Sequence, residues 1–238
     1  MITLGVDSAS QSASAALVRA GALLGECFAC TARKHSAVLL PMIEQLFAQT
    51  GLGLEQVDRF AVTNGPGSFT GVRIGVSLVK GLAQARGKPC AGVSTLKALA
   101  YPAADREGLL CCALDARRGQ VYAAVFAVRH GGVQRLCPDE ALATDALEQR
   151  LLSLGGGEQP VTFLGDGAAL CLAAMRPNAA WSLASPLLCA PRGYGAALAA
   201  GEADYHDAAA LGAVYLRLSQ AERLREERLT ALEGTSAQ

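Results

Sequence analysis

The chain has 238 residues, enough for one large domain or two smaller ones, each with its own core. Its 21 basic and 21 acidic residues cancel and form no run of like charge, which excludes a strongly basic face that would hold nucleic acid unaided. Polar residues begin at Asp7, too early for a secretory core or a membrane-spanning helix, so we expect a cytoplasmic protein that contacts no membrane.

Predicted strands and helices alternate along the first half of the chain. The apolar run at 2–7 indicates a buried strand, and residues 12–29 are typical of two strands that turn at Gly21. A helix is predicted from His35 until Gly51 ends it. The remaining predicted elements are a strand at 58–64, a helix at 70–86 and a strand at 89–94. This alternation indicates a mixed α/β sheet covered by helices.

A second cycle begins at residue 109, again with a strand that ends in Asp and is followed by another strand. Without gaps, Asp7 superposes on Asp115 and Ala15 on Ala123, an offset of 108 residues that indicates a duplicated domain. We therefore predict an N-terminal domain over 1–105 and a reduced C-terminal domain over 106–238. The chain closes with a predicted charged helix at 214–234, which we expect to pack back on the first domain.

The glycine-rich segment at 63–85 allows two interpretations. Gly65 and Gly67 before a helix provide the backbone geometry of an anion site, but the segment lacks the Gly-Lys-Ser/Thr end of a phosphate loop. Alternatively, Gly67, Gly71 and Gly75 recur every fourth residue and form a smooth ridge on which another backbone can pack closely. The incomplete phosphate motif favours packing.

Four motifs carry a resemblance over nearly the whole chain. They are HSAVLLPMI at 35–43, GPGSFTGVRIG at 65–75, LDARRGQVYAAVF at 114–126 and VYLR at 214–217. The chain resembles the TsaB family, bacterial proteins needed to make the threonylcarbamoyl-adenosine found beside the anticodon of many tRNAs. One departure is Ala213, where the family often has proline.

The resemblance implies a fold of the actin and sugar-kinase class, with a cleft between two related α/β domains. In that class the aspartate at the end of each first strand helps to place a metal-bound phosphate, which implies Asp7 and Asp115. Gly165 and Gly167 would lie where the nucleotide base and sugar are held. For Asp7, a plain turn residue between strands is an equal alternative.

Comparison with the catalytic paralogue, TsaD, implies that this chain is not catalytic by itself. The paralogue's two metal-binding histidines align with Thr95 and Leu99, and neither side chain is a good ligand for a transition metal. Ser68 has no G-x-S-x-G pattern around it, and the single C-x-x-C, Cys27 and Cys30, lies in a predicted strand that sends the two thiols to opposite faces.

The implied function is that of an accessory subunit in tRNA modification. The implied partners are a TsaD-like catalytic paralogue, a TsaE-like ATPase and, through the complex, tRNA, with self-pairing when the paralogue is absent. We expect no metal and no tightly bound cofactor on this chain, with ATP and magnesium used by the complex. A small-molecule kinase and a metallopeptidase remain as alternatives.

The two predicted helices offer more apolar surface than one core needs. On a helical wheel, residues 35–49 carry two apolar stripes, one through Leu39, Met42 and Leu46 and the other through Leu40, Ile43 and Phe47. The helix at 70–86 is apolar nearly all round. We therefore predict a partner interface at Leu39, Leu40, Ile43, Phe47, Gly71, Gly75 and Val76.

Overall fold

The first half of the chain forms a five-stranded sheet in a computed structural model that describes residues 1–30 and 34–217. The strand order is β3-β2-β1-β4-β5. The strands are β1 (Ile2–Asp7), β2 (Ser12–Arg19), β3 (Ala22–Cys30), β4 (Arg59–Gly65) and β5 (Cys90–Ser94). β2 runs antiparallel to β1, whereas β4 runs parallel to it, so the sheet is mixed as predicted.

Helices α1 (His35–Thr50) and α2 (Phe69–Arg86) cover one face of this sheet. Gly51 ends α1 in the left-handed conformation, with φ of 66°. The Ser68 side chain caps α2 by accepting the N–H of Gly71, and Gly87 ends that helix with φ of 57°. The elements predicted in the first half are therefore confirmed.

The second half forms a six-stranded sheet in the order β11-β10-β6-β7-β8, with β9 paired to β7. Its strands are β6 (Gly108–Arg117), β7 (Gln120–Arg129), β8 (Gly132–Arg135), β9 (Glu140–Ala143), β10 (Val161–Leu164) and β11 (Trp181–Leu183). Helices α4 (Thr144–Ser153) and α5 (Ala168–Ala174) cover one face. The charged helix predicted at 214–234 does not begin at 214, because residues 214–217 are not helical; the rest of that prediction, from 218 onward, lies outside the described residues.

Both sheets place their strands in the same order along the chain. Three antiparallel strands come first; two parallel strands follow, one beside the first strand and the next beyond it. The second sheet has β9 as an additional strand, paired to β7. The repeated topology confirms the predicted duplication and the α/β fold of the actin and sugar-kinase class.

Strand register corrects the predicted superposition of the two repeats. Asp7 pairs with Ser14, and Leu114 pairs with Tyr122. Tyr122 is 108 residues after Ser14, but Leu114 is only 107 after Asp7. Seven residues separate Leu114 from Tyr122, whereas six separate Asp7 from Ser14. The hairpin connection is therefore one residue longer in the second repeat, and Asp115 lies one position beyond the equivalent of Asp7.

Two short helices lie between the sheets and cross from one repeat to the other. Helix α3 (Thr95–Ala100) follows β5 but packs on β6 and β7, and α6 (Gly193–Ala199) belongs to the second half but packs on β1 and β2. The two helices also contact each other. The sheets divide near the predicted boundary at 105, but the chain after residue 192 returns to the first sheet, so the domain limits stay a prediction.

Among the described residues, no helix combines the length and the apolar character needed to cross a membrane.

Candidate partner surface and cleft

The glycine ridge of α2 packs against the chain's own β1–β2 loop. A Cβ atom at Gly67 would lie 2.3 Å from the Ala9 carbonyl oxygen, and one at Gly71 would lie 2.1 Å from that of Ser8. At Gly75 the Ser8 hydroxyl would be 2.5 Å away. Because real Cβ atoms do not come this close, only glycine lets α2 reach the loop. The segment is a packing surface at these three positions.

Helix α1 directs one apolar stripe into the core and leaves another at the surface. Leu39, Ile43 and Leu46 are at most 2% exposed and pack beneath the helix, whereas Leu40 is 44% exposed. Phe47 is half-buried. The stripes are therefore rotated relative to the wheel prediction, because Ile43 belongs to the core stripe.

A groove of about 510 Å³ lies between α1 and α2. It is mostly apolar and opens to the surface. Its lining comprises Ser36, Leu39, Leu40, Phe69, Thr70, Arg73, Ile74, Ser77 and Leu78. This lining differs from the predicted interface at Gly71, Gly75 and Val76, which face the first core. Exposed apolar surface of this kind is typical of a protein-binding site.

Arg73 lies at the rim of the groove and is held by two aromatic rings. Its guanidinium lies 3.9 Å from the Phe69 ring centroid, and its Nε donates a 2.9 Å hydrogen bond to the Tyr215 hydroxyl. Phe69 and Tyr215 stack with centroids 4.4 Å apart. These contacts fix a cation beside an apolar surface.

Tyr215 belongs to a C-terminal strap, residues 212–217, that lies along the first sheet and reaches the second. The Val214 N–H donates to the Asn64 carbonyl oxygen at 2.7 Å. At the other end, Arg217 donates to the Ala116 carbonyl oxygen at 2.9 Å, across the space between the sheets. The strap thus joins the two halves of the molecule.

A cleft of about 430 Å³ opens between the start of α2, the β6–β7 hairpin and the strap. Its charged lining residues are Asp115, Arg117, Asp166 and Arg217, two of each sign. Asp115 accepts the Arg117 N–H at 2.7 Å and pairs with the Arg117 guanidinium at 3.1 Å. Asp166 accepts the Asp115 N–H at 2.9 Å, and desolvation raises the pKa of the Asp166 carboxyl.

Asp7 does not line this cleft, although Asp115 does. It is fully buried at the end of β1, where Oδ1 accepts hydrogen bonds from the Thr63 hydroxyl and the Ala9 N–H. Oδ2 is buried and has no partner among the described residues. Burial raises the pKa of this carboxyl to about 7. The structure therefore places Asp7 in the core rather than in contact with the cleft.

Gly165 and Gly167 also lie outside the cleft lining and pack against β6. A Cβ atom at Gly165 would lie 2.0 Å from the Ala113 carbonyl oxygen, and one at Gly167 would lie 2.9 Å from the Leu114 carbonyl carbon. The two glycines allow the turn after β10 to approach β6 and bring Asp166 to the cleft.

Thr95 and Leu99, the two positions aligned with the paralogue's metal-binding histidines, both lie in α3. Leu99 is buried in the core of the second sheet, and Thr95 is buried with its hydroxyl oxygen unpaired among the described residues. Within residues 1–30 and 34–217, no group of three or more His, Cys, Asp or Glu side chains is placed to hold a metal ion. Cys27 and Cys30 are both free thiols.

Sequence reasoning did not identify three residues that line the cleft, Asp166, Tyr215 and Arg217. Asp166 lies between Gly165 and Gly167, which were the predicted nucleotide-site residues, but Asp166 is the one of the three that lines the cleft. Tyr215 and Arg217 lie in the VYLR motif, which supported the resemblance without a role for either side chain. The sequence signal that could have identified Tyr215 and Arg217 is the VYLR motif, because it places an aromatic residue and a cation close together after the last predicted core element.

Comparison with known proteins gives consistent matches. A family model described as TsaD, tRNA N6-adenosine threonylcarbamoyltransferase, matches residues 29–191. The Bacillus subtilis (strain 168) protein named tRNA threonylcarbamoyladenosine biosynthesis protein TsaB is 33% identical over 171 residues, covering 71% of this chain and 73% of the relative. The Escherichia coli (strain K12) protein of the same name is 35% identical over 159 residues, covering 66% and 68%.

A solved structure extends the similarity to the fold. The Pseudomonas aeruginosa protein described as uncharacterized, with similarity to peptidase YEAZ, aligns with a TM-score of 0.79 and 27% identity. The alignment covers 91% of this chain and 99% of that one. The similarity therefore extends over both sheets.

Proposed function

The chain belongs to the TsaB family, and on that premise we propose that it acts in forming threonylcarbamoyladenosine in tRNA, as a non-catalytic subunit that pairs with a TsaD-like transferase. The observation that carries the proposal is the apolar groove between α1 and α2, in whose lining Leu40 is exposed. A helix with an apolar face would cover this groove and remove that surface from water.

The non-catalytic part of the proposal is supported by residue chemistry. A leucine side chain has no lone pair for a metal ion, and Leu99 is buried in the core of the second sheet. The paired charges of the cleft, Asp115 with Arg117, already satisfy each other. The chain would therefore contribute binding surface to the complex, and the paralogue would contribute the chemistry.

We extend the proposal to the other components. A TsaE-like ATPase and tRNA join through the complex in the cytoplasm, and the chain pairs with itself when the transferase is absent. The complex uses ATP and magnesium, but this chain holds no nucleotide tightly. The packing of Gly165 and Gly167 against β6 supports the last point, since it leaves neither glycine free to lie against a base or sugar.

A reconstituted assay tests the function. The pure chain, the transferase, and a mixture of both with the ATPase would each be given tRNA, an activated threonylcarbamoyl donor and ATP. We expect no threonylcarbamoyl transfer by this chain alone and multiple turnover only when it accompanies the transferase. Transfer by the pure chain at the rate of the mixture would overturn the non-catalytic assignment, and full turnover without this chain would overturn the requirement for it.

A further inference from the structure

Among the described residues that line the groove, Arg73 is the only one with a charged side chain, and none is a carboxylate. An arginine has five N–H donors, and its Nε is used by Tyr215. Its terminal nitrogens make no hydrogen bond and no ion pair with any described residue. The groove therefore combines an apolar floor with a cation at its rim with which no described carboxylate pairs.

The position of Arg73 is fixed before any partner arrives. The guanidinium packs on Phe69, which itself stacks on Tyr215, and Tyr215 holds the Nε. Long side chains usually lose rotamer entropy when they form an ion pair, and that loss reduces the gain from the pair. Because the strap already orders this side chain, Arg73 would lose less on binding a carboxylate.

We propose that Arg73 selects the partner: the helix that fills the groove carries a carboxylate at the end of its apolar face, and this carboxylate pairs with the Arg73 guanidinium. The inference rests on the proposed function, because it specifies the chemistry of the transferase helix at that surface. Charge complementarity and the planar fork of arginine favour a carboxylate on that helix. Tyr215 acts as a positioning residue for the cation.

The test compares substitutions that keep or remove the cation. The dissociation constant of the full chain with its TsaD-like transferase would be measured by titration calorimetry at low and high salt, since salt screens an exposed ion pair. The variants are Arg73→Gln, which removes the charge, and Arg73→Lys, which keeps it. Arg86→Gln is the matched control, because Arg86 is exposed in the last turn of the same helix and does not line the groove.

We expect Arg73→Gln to weaken binding about tenfold at low salt and to reduce its salt dependence. Arg73→Lys should keep that salt dependence, and Arg86→Gln should stay within about twofold of the wild type. Tyr215→Phe, which retains the ring stack and loses the hydroxyl, should weaken binding about threefold. Thermal melting would verify that each variant is folded.

Three results would overturn the inference. Arg73→Gln could bind as the wild type does, could lose affinity equally at both salt concentrations as a packing residue would, or could weaken only self-association, which would assign the carboxylate to a second copy. If the wild-type chain does not bind the transferase at all, the proposed function fails instead. The two failures are therefore distinguishable.

Discussion

Asp7 matches a family pattern but is buried at the end of β1 and does not line the cleft. Its carboxyl is fully buried behind the cleft, with one oxygen paired to Thr63 and Ala9 and the other unpaired among the described residues. A buried carboxylate without a cation is costly, so the neutral form is favoured. The sequence located the end of the strand correctly, but the direction of the side chain depends on how α6 and β4 pack on β1.

Asp7 should make the stability of the protein depend on pH. Its pKa is raised from 3.8 to about 7, so between these values the native state binds a proton that the unfolded state has lost. The contribution of Asp7 to the free energy of unfolding should therefore be largest at low pH. It should fall as the pH rises from about 4 to about 7, by at most ~1.4 kcal/mol per pH unit.

The Asp7→Asn variant tests this effect, because an amide resembles the neutral acid. Urea denaturation at about pH 5 and about pH 8 should show the variant gaining stability relative to wild type as the pH rises. Asp105→Asn is the control, since Asp105 is exposed. An equal difference between wild type and Asp7→Asn at both pH values would show that the carboxyl is ionised in the fold.

At the scale of elements, helix α2 was predicted almost to the residue because its end signals are local. Ser68 caps its start and Gly87 ends it, and both signals can be read in the sequence. The glycine ridge was also predicted, but its neighbour was not. The backbone that packs on it is the Ser8–Ala9 loop, more than fifty residues away, and no periodicity identifies such a contact.

Alanine substitutions at two glycines of α2, Gly71 and Gly81, should change the stability of the protein in opposite directions. A Cβ at Gly71 would lie 2.1 Å from the Ser8 carbonyl oxygen, so Gly71→Ala should cost about 2 kcal/mol or more by forcing the loop away. A Cβ at Gly81 meets nothing within 4 Å, so Gly81→Ala should stabilise the helix by about 0.5–1 kcal/mol. Thermal melting measures both, and a loss of stability in both variants would contradict the packing account.

The stripes of α1 illustrate the limit of a helical wheel. The pattern correctly indicated two apolar faces, but it assigned Met42 and Ile43 to the wrong ones. Ile43 is buried in the core with Leu39 and Leu46, whereas Met42 is only partly buried. Because adjacent stripes overlap on a wheel, small rotations of the helix decide which residues are covered. That rotation is set by packing on β2 and β3.

At the scale of the whole molecule, the duplication could be recognised from two strand pairs, whereas the exchange of α3 and α6 between the sheets could not. Both helices are shorter than eight residues and carry no distinctive periodicity. Their location depends on close contacts such as Gly193 against β1 and β2, where a Cβ would lie 2.6 Å from the Gly5 carbonyl oxygen. Such contacts depend on the assembled sheets.

Glu26 holds the returning chain on the first sheet. Its carboxylate is 7% exposed, pairs with Arg192 at 2.8 Å and accepts hydrogen bonds from Ser14 and Tyr194. Glu26→Gln removes the charge from this cluster and should lower the free energy of unfolding by about 1–3 kcal/mol. Urea denaturation measures the change, with Glu158→Gln as an exposed control. Equal midpoints for both variants would show that the ion pair does not hold α6.

The central claim, that the groove between α1 and α2 binds the transferase, is tested most directly by the mass of the mixed proteins in size-exclusion chromatography with light scattering. We expect the wild-type chain to form a complex with the transferase and Leu40→Glu to stay folded but separate, because a charge on the exposed stripe must be buried in the interface. Leu39→Glu, in the core stripe, should unfold the chain. A Leu40→Glu variant that forms the same complex as the wild type would contradict the claim.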